Sequence, residues 1–156
     1  LLVTSAMPAE AKSTSASMLA RNFAQLGRRV LLIDADLRNP TLHRQFGVSA
    51  AHGLSSYLAG AASLEQVVTS TGEERLELVS AGPLPPNPAE LLSSPRMAAL
   101  LREMEGRFDH VVIDGPPIMG LADAPILANL VDGTLLMVAS GKTRRAALRG
   151  ALRRLD

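Results

Sequence analysis

Two runs of apolar residues, each ending in aspartate, constrain the fold of this chain most strongly. Residues 29–34 read Arg-Val-Leu-Leu-Ile-Asp, and residues 110–114 read His-Val-Val-Ile-Asp. A continuous apolar run of this length is typical of a strand buried on both faces, as in a parallel sheet covered by helices. We therefore expect a layered α/β fold with both aspartates at the carboxyl ends of strands, where ligands bind in such sheets.

Strand and helix patterns alternate along the remainder of the chain. Further strands are expected at residues 1–3, 76–80 and 134–139, and helices from Lys12 to a stop at Gly27 and at residues 40–46, 53–60, 63–70, 89–93, 95–105, 122–130 and 143–155. This alternation predicts a single domain, residues 1–156, with a doubly wound, mostly parallel sheet flanked by helices. The Pro-rich stretch at residues 81–88 is expected to form a rigid surface loop.

Composition and charge exclude several classes of protein. The chain has no cysteine, so disulfides, thiolate metal sites and iron–sulfur clusters are excluded. Aromatic residues make up 3% of the chain, too few for a nucleic-acid platform built on base stacking. The net charge of +1 by itself predicts neither nucleic-acid nor membrane binding. No apolar run approaches the roughly 18 residues of a membrane span, and no signal peptide is visible.

The two ends of the chain carry further expectations. Residue 1 is Leu and already lies within a strand pattern, so we expect the chain to be part of a longer protein, trimmed at both ends. Five arginines crowd the other end: Arg144, Arg145, Arg149, Arg153 and Arg154. We favour a solvated face of an amphipathic helix, and the alternative is a surface for an acidic partner, a phospholipid or DNA.

The segment after the first strand has the layout of a phosphate-binding loop. A short apolar strand leads through a tight loop into a helix that opens at Lys12-Ser13-Thr14. In such a loop, backbone N–H groups and the helix N-terminus bind phosphates, the lysine adds a charge, and the next hydroxyl can bind Mg²⁺. Ala6 and Ala11 stand at the two glycine positions of the standard G-x-x-x-x-G-K-[ST] pattern. The predicted phosphate-binding residues are Pro8, Ala9, Glu10, Ala11, Lys12, Ser13 and Thr14.

Carboxylates that follow the predicted strands suggest a magnesium–nucleotide site. Asp34 and Asp114 end their strands, and Asp36 lies two residues beyond Asp34. Mg²⁺ prefers one or two carboxylates together with phosphate oxygens and water. The alternative for an aspartate at a strand end is a structural role in a turn or at a helix start. Asp36 can either contact the metal or pair with Arg38, and Arg38 can alternatively contact phosphate.

Other residues that could carry chemistry have simpler interpretations. Asp123, at the start of a predicted helix, is expected to be an N-cap and not a catalytic group. Tyr57 lies in a helical apolar pattern, so core packing is favoured over a role as phosphate acceptor. The three histidines have no spacing typical of metal ligands. None of these residues is therefore assigned to the site.

Five stretches together resemble one known family. The segments are TSAMPAEAKST at residues 4–14, LLIDADLRNP at 31–40, GLSSYLAG at 53–60, GPLPPNPAELLSS at 82–94 and VVIDGPP at 111–117. In this order they resemble the bacterial tyrosine kinases of capsule and exopolysaccharide systems, within the ParA/MinD type of P-loop ATPases with a deviant Walker A motif. PPNPAELLSS is the most discriminating stretch, because it has no role in general phosphate binding.

The resemblance implies an ATP-dependent protein-tyrosine autokinase with ATP and Mg²⁺ as its cofactors. In the family pattern, Lys12 contacts the β- and γ-phosphates, Ser13 binds Mg²⁺ and Thr14 touches the α-phosphate. Asp34 binds metal-linked water or helps to deprotonate the acceptor tyrosine, and Asp36 and Asp114 complete the metal shell. The implied catalytic residues are thus Lys12, Asp34, Asp36 and Asp114, and the implied metal-binding residues are Ser13, Asp34, Asp36 and Asp114.

The same resemblance implies a cellular setting and partners. It suggests regulation of capsule or exopolysaccharide synthesis at the inner face of the cell membrane, through a membrane polysaccharide co-polymerase or chain-length regulator that is fused or separate. It also implies homo-oligomers of the full-length protein, a cognate tyrosine phosphatase and a cytoplasmic domain. Nucleic acid is not expected as a partner.

Two alternatives to an active kinase remain open at this point. In the kinase pattern, glycines stand where this chain has Ala9 and Ala11. Glycine suits positions that need positive φ and close approach of the backbone to phosphate, so a pseudokinase that binds nucleotide poorly is one alternative. The other is a partitioning ATPase of the ParA/MinD type. Such proteins carry a signature lysine five residues before the loop lysine, where this chain has Met7, which favours the kinases.

Overall fold

The computed structural model describes residues 1–155, which form a six-stranded sheet between helices. The strands are β1 Leu2–Ser5, β2 Val30–Asp34, β3 Val68–Ser70, β4 Leu76–Val79, β5 His110–Asp114 and β6 Thr134–Met137. The helices are α1 Lys12–Gln25, α2 Leu42–Phe46, α3 Leu54–Leu58, α4 Leu64–Val67, α5 Pro88–Leu92, α6 Pro95–Arg107, α7 Asp123–Ala128 and α8 Arg145–Leu155. The strand order is β3-β4-β2-β5-β1-β6, with every pair parallel except β3 and β4. The predicted doubly wound, mostly parallel sheet is confirmed.

Alternate residues of the central strands face two separate cores, which is why these strands are apolar throughout. In β2, Leu31 and Ile33 join a core with α6, whereas Val30 and Leu32 join a second core with α1. All four side chains are fully buried. A strand covered by helices on both faces needs apolar residues at its odd and its even positions alike, as the sequence pattern predicted.

The predicted helix at residues 63–70 is wrong in its second half. The helical part ends at Val67, and Val68–Ser70 forms the edge strand β3, which pairs antiparallel with β4. Val68 and Thr69 are β-branched, so they lose side-chain freedom in a helix and suit a strand. The open edge of β4 supplies the backbone partners that an isolated segment would lack.

The Pro-rich loop and α3, two of the family-like stretches, are packed against each other. The N–H groups of Leu54 and Ser55 donate to the carbonyls of Ser80 and Ala81 at 2.7 and 2.9 Å, and Ser55 Oγ donates to the Pro83 carbonyl at 2.6 Å. The loop is exposed between Pro83 and Asn87 and buried at both ends, so the prediction of a surface loop is correct for its middle only. Contacts to α3 thus fix where the loop leaves the sheet.

The parallel register brings the two strand-end aspartates together. Asp34 of β2 is the register partner of Asp114 of β5, and Asp114 is also the partner of Val3 of β1. The loop between β1 and α1 leaves the sheet at the same edge, so the predicted site residues converge there. Within residues 1–155, no helix is both long and apolar enough to cross a membrane.

Candidate nucleotide-binding site

All seven residues of the predicted phosphate-binding loop line one cavity of about 430 Å³. Asp36, Asn39 and Thr41 close one side of this phosphate cavity, and residues of the segment after β5 close another. Asp34 and Asp114 lie fully buried beneath it. The structure therefore groups the predicted loop with Asp36 at the cavity wall and places the other two carboxylates behind that wall.

The loop keeps left-handed backbone geometry at its two alanines. Ala9 has φ 61° and Ala11 has φ 60°, and Ala11 immediately precedes α1 with ψ 23°. For a residue with a Cβ atom, this conformation costs roughly 1–2 kcal/mol, whereas glycine adopts it freely. The expectation that the loop needs glycine-type φ angles at these positions is confirmed, and the fold holds the alanines there at a cost.

Lys12 is buried and directs its ammonium towards carboxylates. Its Nζ lies 2.7 Å from Asp36 Oδ2 and 3.6 Å from Asp114 Oδ1, and it donates to Ser13 Oγ at 3.3 Å. A buried ammonium needs such partners because leaving water is costly for a charge. The predicted hydroxyl and two of the three predicted carboxylates thus lie within contact distance of Lys12.

Asp114 has the least satisfied polar atoms of the site. Among the described residues, neither of its carboxylate oxygens has a hydrogen-bond partner, and Lys12 approaches only to salt-bridge distance. Burial raises the pKa of Asp114 to about 6, and the charge of Lys12 opposes that rise. Lys12 and the Ser13 hydroxyl lie near enough to lower the pKa of Asp114, but no donor reaches it with hydrogen-bond geometry. A bound cation is a natural explanation for a buried carboxylate in that position.

The residues therefore fit a magnesium ion that is held partly by phosphate. Ser13, Asp36 and Asp114 supply the hard oxygen ligands that Mg²⁺ prefers. Within residues 1–155, histidines and carboxylates do not form a group of three or more suited to holding a metal by themselves. Mg²⁺ does not require such a cage, because phosphate oxygens and water complete its shell.

Asp34 organises the loop that carries Asp36. Its Oδ2 accepts the N–H groups of Thr41 and Leu42 at 3.1 and 3.0 Å, and its Oδ1 accepts the N–H of Asp36 at 3.3 Å. The sequence left open a structural role for Asp34 at a helix start. The structure confirms that role, because these bonds hold the first residues of α2. Burial, followed by the nearby charge of Asp114, raises the pKa of Asp34 to about 7.

The structure excludes an ion pair between Arg38 and Asp36. Arg38 donates from Nε and Nη2 to Asp123 at 2.8 and 3.2 Å. Asp36 instead bonds Lys12 and accepts the N–H of Asn39 at 3.0 Å. Of the two roles considered for Asp36, metal contact remains as a prediction.

The prediction that Asp123 is an N-cap is wrong. Ala122 occupies the N-cap position and Asp123 is the first residue of α7, with no side-chain cap. Asp123 is fully buried, so its charge requires the arginine that reaches it from 85 positions away. The sequence signal was only an aspartate at a helix start, which points to a cap more readily than to a distant partner.

Glu10 makes contacts that were missed when it was predicted only as a member of the loop. Its Oε2 accepts the N–H of Met7 at 2.8 Å, and its Oε1 accepts from the Ala139 N–H at 3.3 Å and from the Thr143 hydroxyl. Burial raises the pKa of Glu10, but these hydrogen bonds outweigh it and leave the pKa lowered. Glu10 thereby ties the phosphate-binding loop to the segment after β6.

The segment between β5 and α7 is a second missed part of the site. Pro117, Met119 and Leu121 line the phosphate cavity, and the N–H of Ile118 donates to the Ser5 carbonyl at 2.8 Å. These residues are apolar and lie more than 100 positions from the loop they face. Pro117 ends the family-like stretch at residues 111–117, but nothing in the local pattern of Met119 and Leu121 identified them as part of a binding site.

The remaining candidates lie outside the site. Tyr57 packs against the main core, with the Arg96 guanidinium carbon 4.8 Å from its ring centre, so the packing interpretation is confirmed. Arg154 donates to the carbonyls of Ile118 and Leu121 at 3.3 and 3.2 Å and so fixes α8 to the segment after β5. The other C-terminal arginines are exposed, in agreement with a solvated helix face.

Comparisons with known proteins agree with this geometry. The family model described as AAA domain matches residues 9–151. YwqD of Bacillus subtilis strain 168, a tyrosine-protein kinase, is 50% identical over 145 residues, which cover 93% of this chain and 61% of YwqD. The chain therefore spans about three fifths of this relative's length.

Two solved structures have nearly the same backbone. The kinase domain of the Escherichia coli tyrosine kinase Etk aligns with a TM-score of 0.95 and 37% identity, over 99% of this chain and 60% of that one. The VpsO kinase domain aligns with a TM-score of 0.93 and 37% identity, over 99% of this chain and 76% of that one. The family model, the sequence relatives and the backbone agree, and the chain belongs to the AAA-domain family and to the bacterial tyrosine kinases.

Proposed function

We propose that this protein is an ATP-dependent protein-tyrosine kinase. The observation that carries the proposal is the buried cluster of Lys12, Asp36 and Asp114 beside a phosphate-binding loop, in a chain whose relatives are tyrosine kinases. Phosphoryl transfer requires mainly positioning of the phosphates and neutralisation of their charge. The cluster supplies both, and the relatives support tyrosine as the acceptor.

Each residue of the site has a role in this proposal. The backbone N–H groups of residues 9–13 bind the phosphates, and Lys12 places its charge on the β- and γ-phosphates. Ser13, Asp36 and Asp114 would hold Mg²⁺. Mg²⁺, when bound, neutralises charge on the phosphate oxygens. Thr14 would contact the α-phosphate.

Asp34 is proposed to help to deprotonate the tyrosine hydroxyl; in the alternative role it would hold water bound to Mg²⁺. A pKa of about 7 suits a group that must take up a proton near neutral pH. Its hydrogen bonds to Thr41 and Leu42 keep it in place and leave Oδ1 with one long bond of 3.3 Å.

The cellular role follows from the family. We propose that the protein phosphorylates tyrosines on other copies of itself and so regulates capsule or exopolysaccharide synthesis. A membrane chain-length regulator, fused or separate, would hold it at the inner face of the membrane, with homo-oligomers and a tyrosine phosphatase completing the system. The relatives' names support the kinase activity, and the resemblance of the motifs supports the setting.

The test compares Lys12→Met with Lys142→Met in the full-length protein. Lys142 is exposed and lies outside the phosphate cavity, so its substitution is a matched control for loss of a lysine. Mg-ATP binding measured by calorimetry and tyrosine autophosphorylation measured with a phosphotyrosine antibody should both be lost in Lys12→Met and kept in Lys142→Met. Autophosphorylation that survives Lys12→Met would refute the site.

Ala9 and Ala11 favour a second candidate, a pseudokinase that keeps the fold and its protein contacts. Both alanines hold positive φ angles, and their Cβ atoms lie on the loop that must approach phosphate closely. Restoring glycine at both positions separates the candidates. A large gain in ATP affinity together with the first appearance of autophosphorylation would assign the natural protein to the pseudokinases, and unchanged affinity would remove the basis for that idea.

A further inference from the structure

A second cavity opens beside the phosphate cavity and carries positive charge. It has a volume of about 530 Å³ and shares Asn39 and Thr41 with the phosphate cavity. Its wall includes Arg38, His43 and Arg44, and among the described residues no carboxylate lines it. We call it the basic cavity.

Arg44 is the residue of this wall that is available to an anion. Its side chain is exposed, and it forms no ion pair within residues 1–155. Arg38 uses Nε and Nη2 for Asp123 and keeps Nη1 for another acceptor. An unpaired arginine beside a cavity is well suited to a carboxylate or a phosphate, which its planar fork can bind with two hydrogen bonds.

The position of the basic cavity identifies the kind of ligand. It meets the phosphate cavity at Asn39 and Thr41. The N–H of Asn39 donates to Asp36 at 3.0 Å, and Asp36 in turn pairs with Lys12. Under the proposed function the transferred phosphoryl group lies at that pair, so the acceptor must approach from an adjoining cavity. Pro83 and Leu84 form an apolar part of the same wall, and Leu84 is 63% exposed. An aromatic ring with an anionic neighbour would match both parts of this wall.

We propose that the basic cavity binds the tyrosine-bearing acceptor peptide and selects one with an anionic residue next to the acceptor tyrosine. The anion is either a carboxylate or the phosphate of a neighbouring phosphotyrosine, since both offer the oxygens that Arg44 can bind. This inference rests on the proposed kinase function. It adds the acceptor preference and the residue that sets it.

The experiment measures peptide binding without turnover, using full-length protein with Mg-ADP. Three fluorescent peptides share one sequence with a central Phe in place of Tyr, flanked by Glu, by Gln or by phosphotyrosine. Because exposed ion pairs are weak, the Glu peptide should bind about two- to fivefold more tightly than the Gln peptide. The preference should weaken at high salt, since exposed charges are screened.

Charge reversal at Arg44 gives the sharper result. In Arg44→Glu the order should invert, with the Gln peptide bound more tightly than either anionic peptide. Arg28→Glu is the matched control. Arg28 is exposed and precedes β2, so it lies at the amino end of that strand, away from the basic cavity. The Arg28→Glu variant should keep the natural peptide preference. Arg44 lies on the surface, so the variant is expected to fold, and circular dichroism checks this.

Each outcome decides the inference. Preference for the Glu peptide, or for the phosphotyrosine peptide alone, supports it and identifies the anion. Equal binding of all three peptides, an unchanged order in Arg44→Glu, or weaker peptide binding with Mg-ADP than without it would overturn it. Phosphorylation of the matching Tyr peptides is measured separately, so a failure of the kinase function is distinguished from a failure of the peptide preference.

Discussion

Asp114→Asn should make the metal-free protein more stable at pH 8 while removing a proposed ligand of Mg²⁺. Asp114 is fully buried, and its pKa is raised from 3.8 to about 6, first by burial. A carboxyl whose pKa is higher in the folded state opposes folding once it is ionised. The cost is small below the unfolded pKa, grows as the pH rises from about 4 to 6, and is complete above that range.

The magnitude follows from the size of that shift. A rise of roughly two pKa units corresponds to about 3 kcal/mol at pH 8, and well under 1 kcal/mol of it remains at pH 4. The unpartnered amide of Asn has its own cost, so the net gain at pH 8 is smaller than this limit. The cost of the Asn amide is the same at both pH values. It therefore cancels when the gain in unfolding free energy at pH 4 is subtracted from the gain at pH 8, and this difference should be about 2–3 kcal/mol.

Urea denaturation with EDTA and without nucleotide, at both pH values, measures these gains. Asp109→Asn is the control with the opposite sign, because the Arg29 N–H and guanidinium lower the pKa of Asp109. That pair contributes stability above the unfolded pKa and loses it as the pH falls, so this variant should be less stable at pH 8. A gain for Asp114→Asn that is equal at both pH values, or a loss at pH 8, would refute the reasoning.

Three further experiments test other parts of the structure. Ala9→Gly with Ala11→Gly should raise nucleotide affinity, and it should stabilise the protein by about 1 kcal/mol because glycine relieves the positive φ angles; a lower melting temperature would contradict this. Arg38→Gln should destabilise the protein by about 3 kcal/mol, because buried Asp123 loses its partner. Adding Asp123→Asn should restore part of this stability. If the two losses simply add in a double-mutant cycle, the ion pair does not contribute as argued. Gly53→Ala should cost about 2 kcal/mol or more in urea denaturation, because its Cβ would lie 2.3 Å from backbone atoms of the loop after β4, and a neutral result would contradict the close packing.

Much of the fold could be read from local patterns. The strand at residues 110–114 was predicted with its observed bounds, and the start of α1 at Lys12 was also correct. Apolar periodicity and loop chemistry are properties of neighbouring residues, so they survive without knowledge of the fold. The edge strand at residues 68–70 was missed because its partners lie on another segment.

Local patterns likewise predicted some parts of the candidate site and missed others. The phosphate-binding loop and the strand-end carboxylates follow motifs of fixed spacing, and the structure brings them to one edge of the sheet. The partner of Arg38 is Asp123, and Glu10 contacts the segment after β6. These contacts join residues 85 and 129 positions apart, and no local pattern encodes them.

The sequence by itself determined the fold class, the order of the family motifs and the position of the predicted phosphate-binding loop. Those features depend on side-chain alternation, helix periodicity and the chemistry of a few adjacent residues. Only the tertiary structure decided that Asp34 and Asp114 are register partners, that Asp114 is left without hydrogen-bond donors and that a basic cavity adjoins the phosphate cavity. Strand order sets these relations, because it determines which distant side chains are buried together and which charges must then find partners.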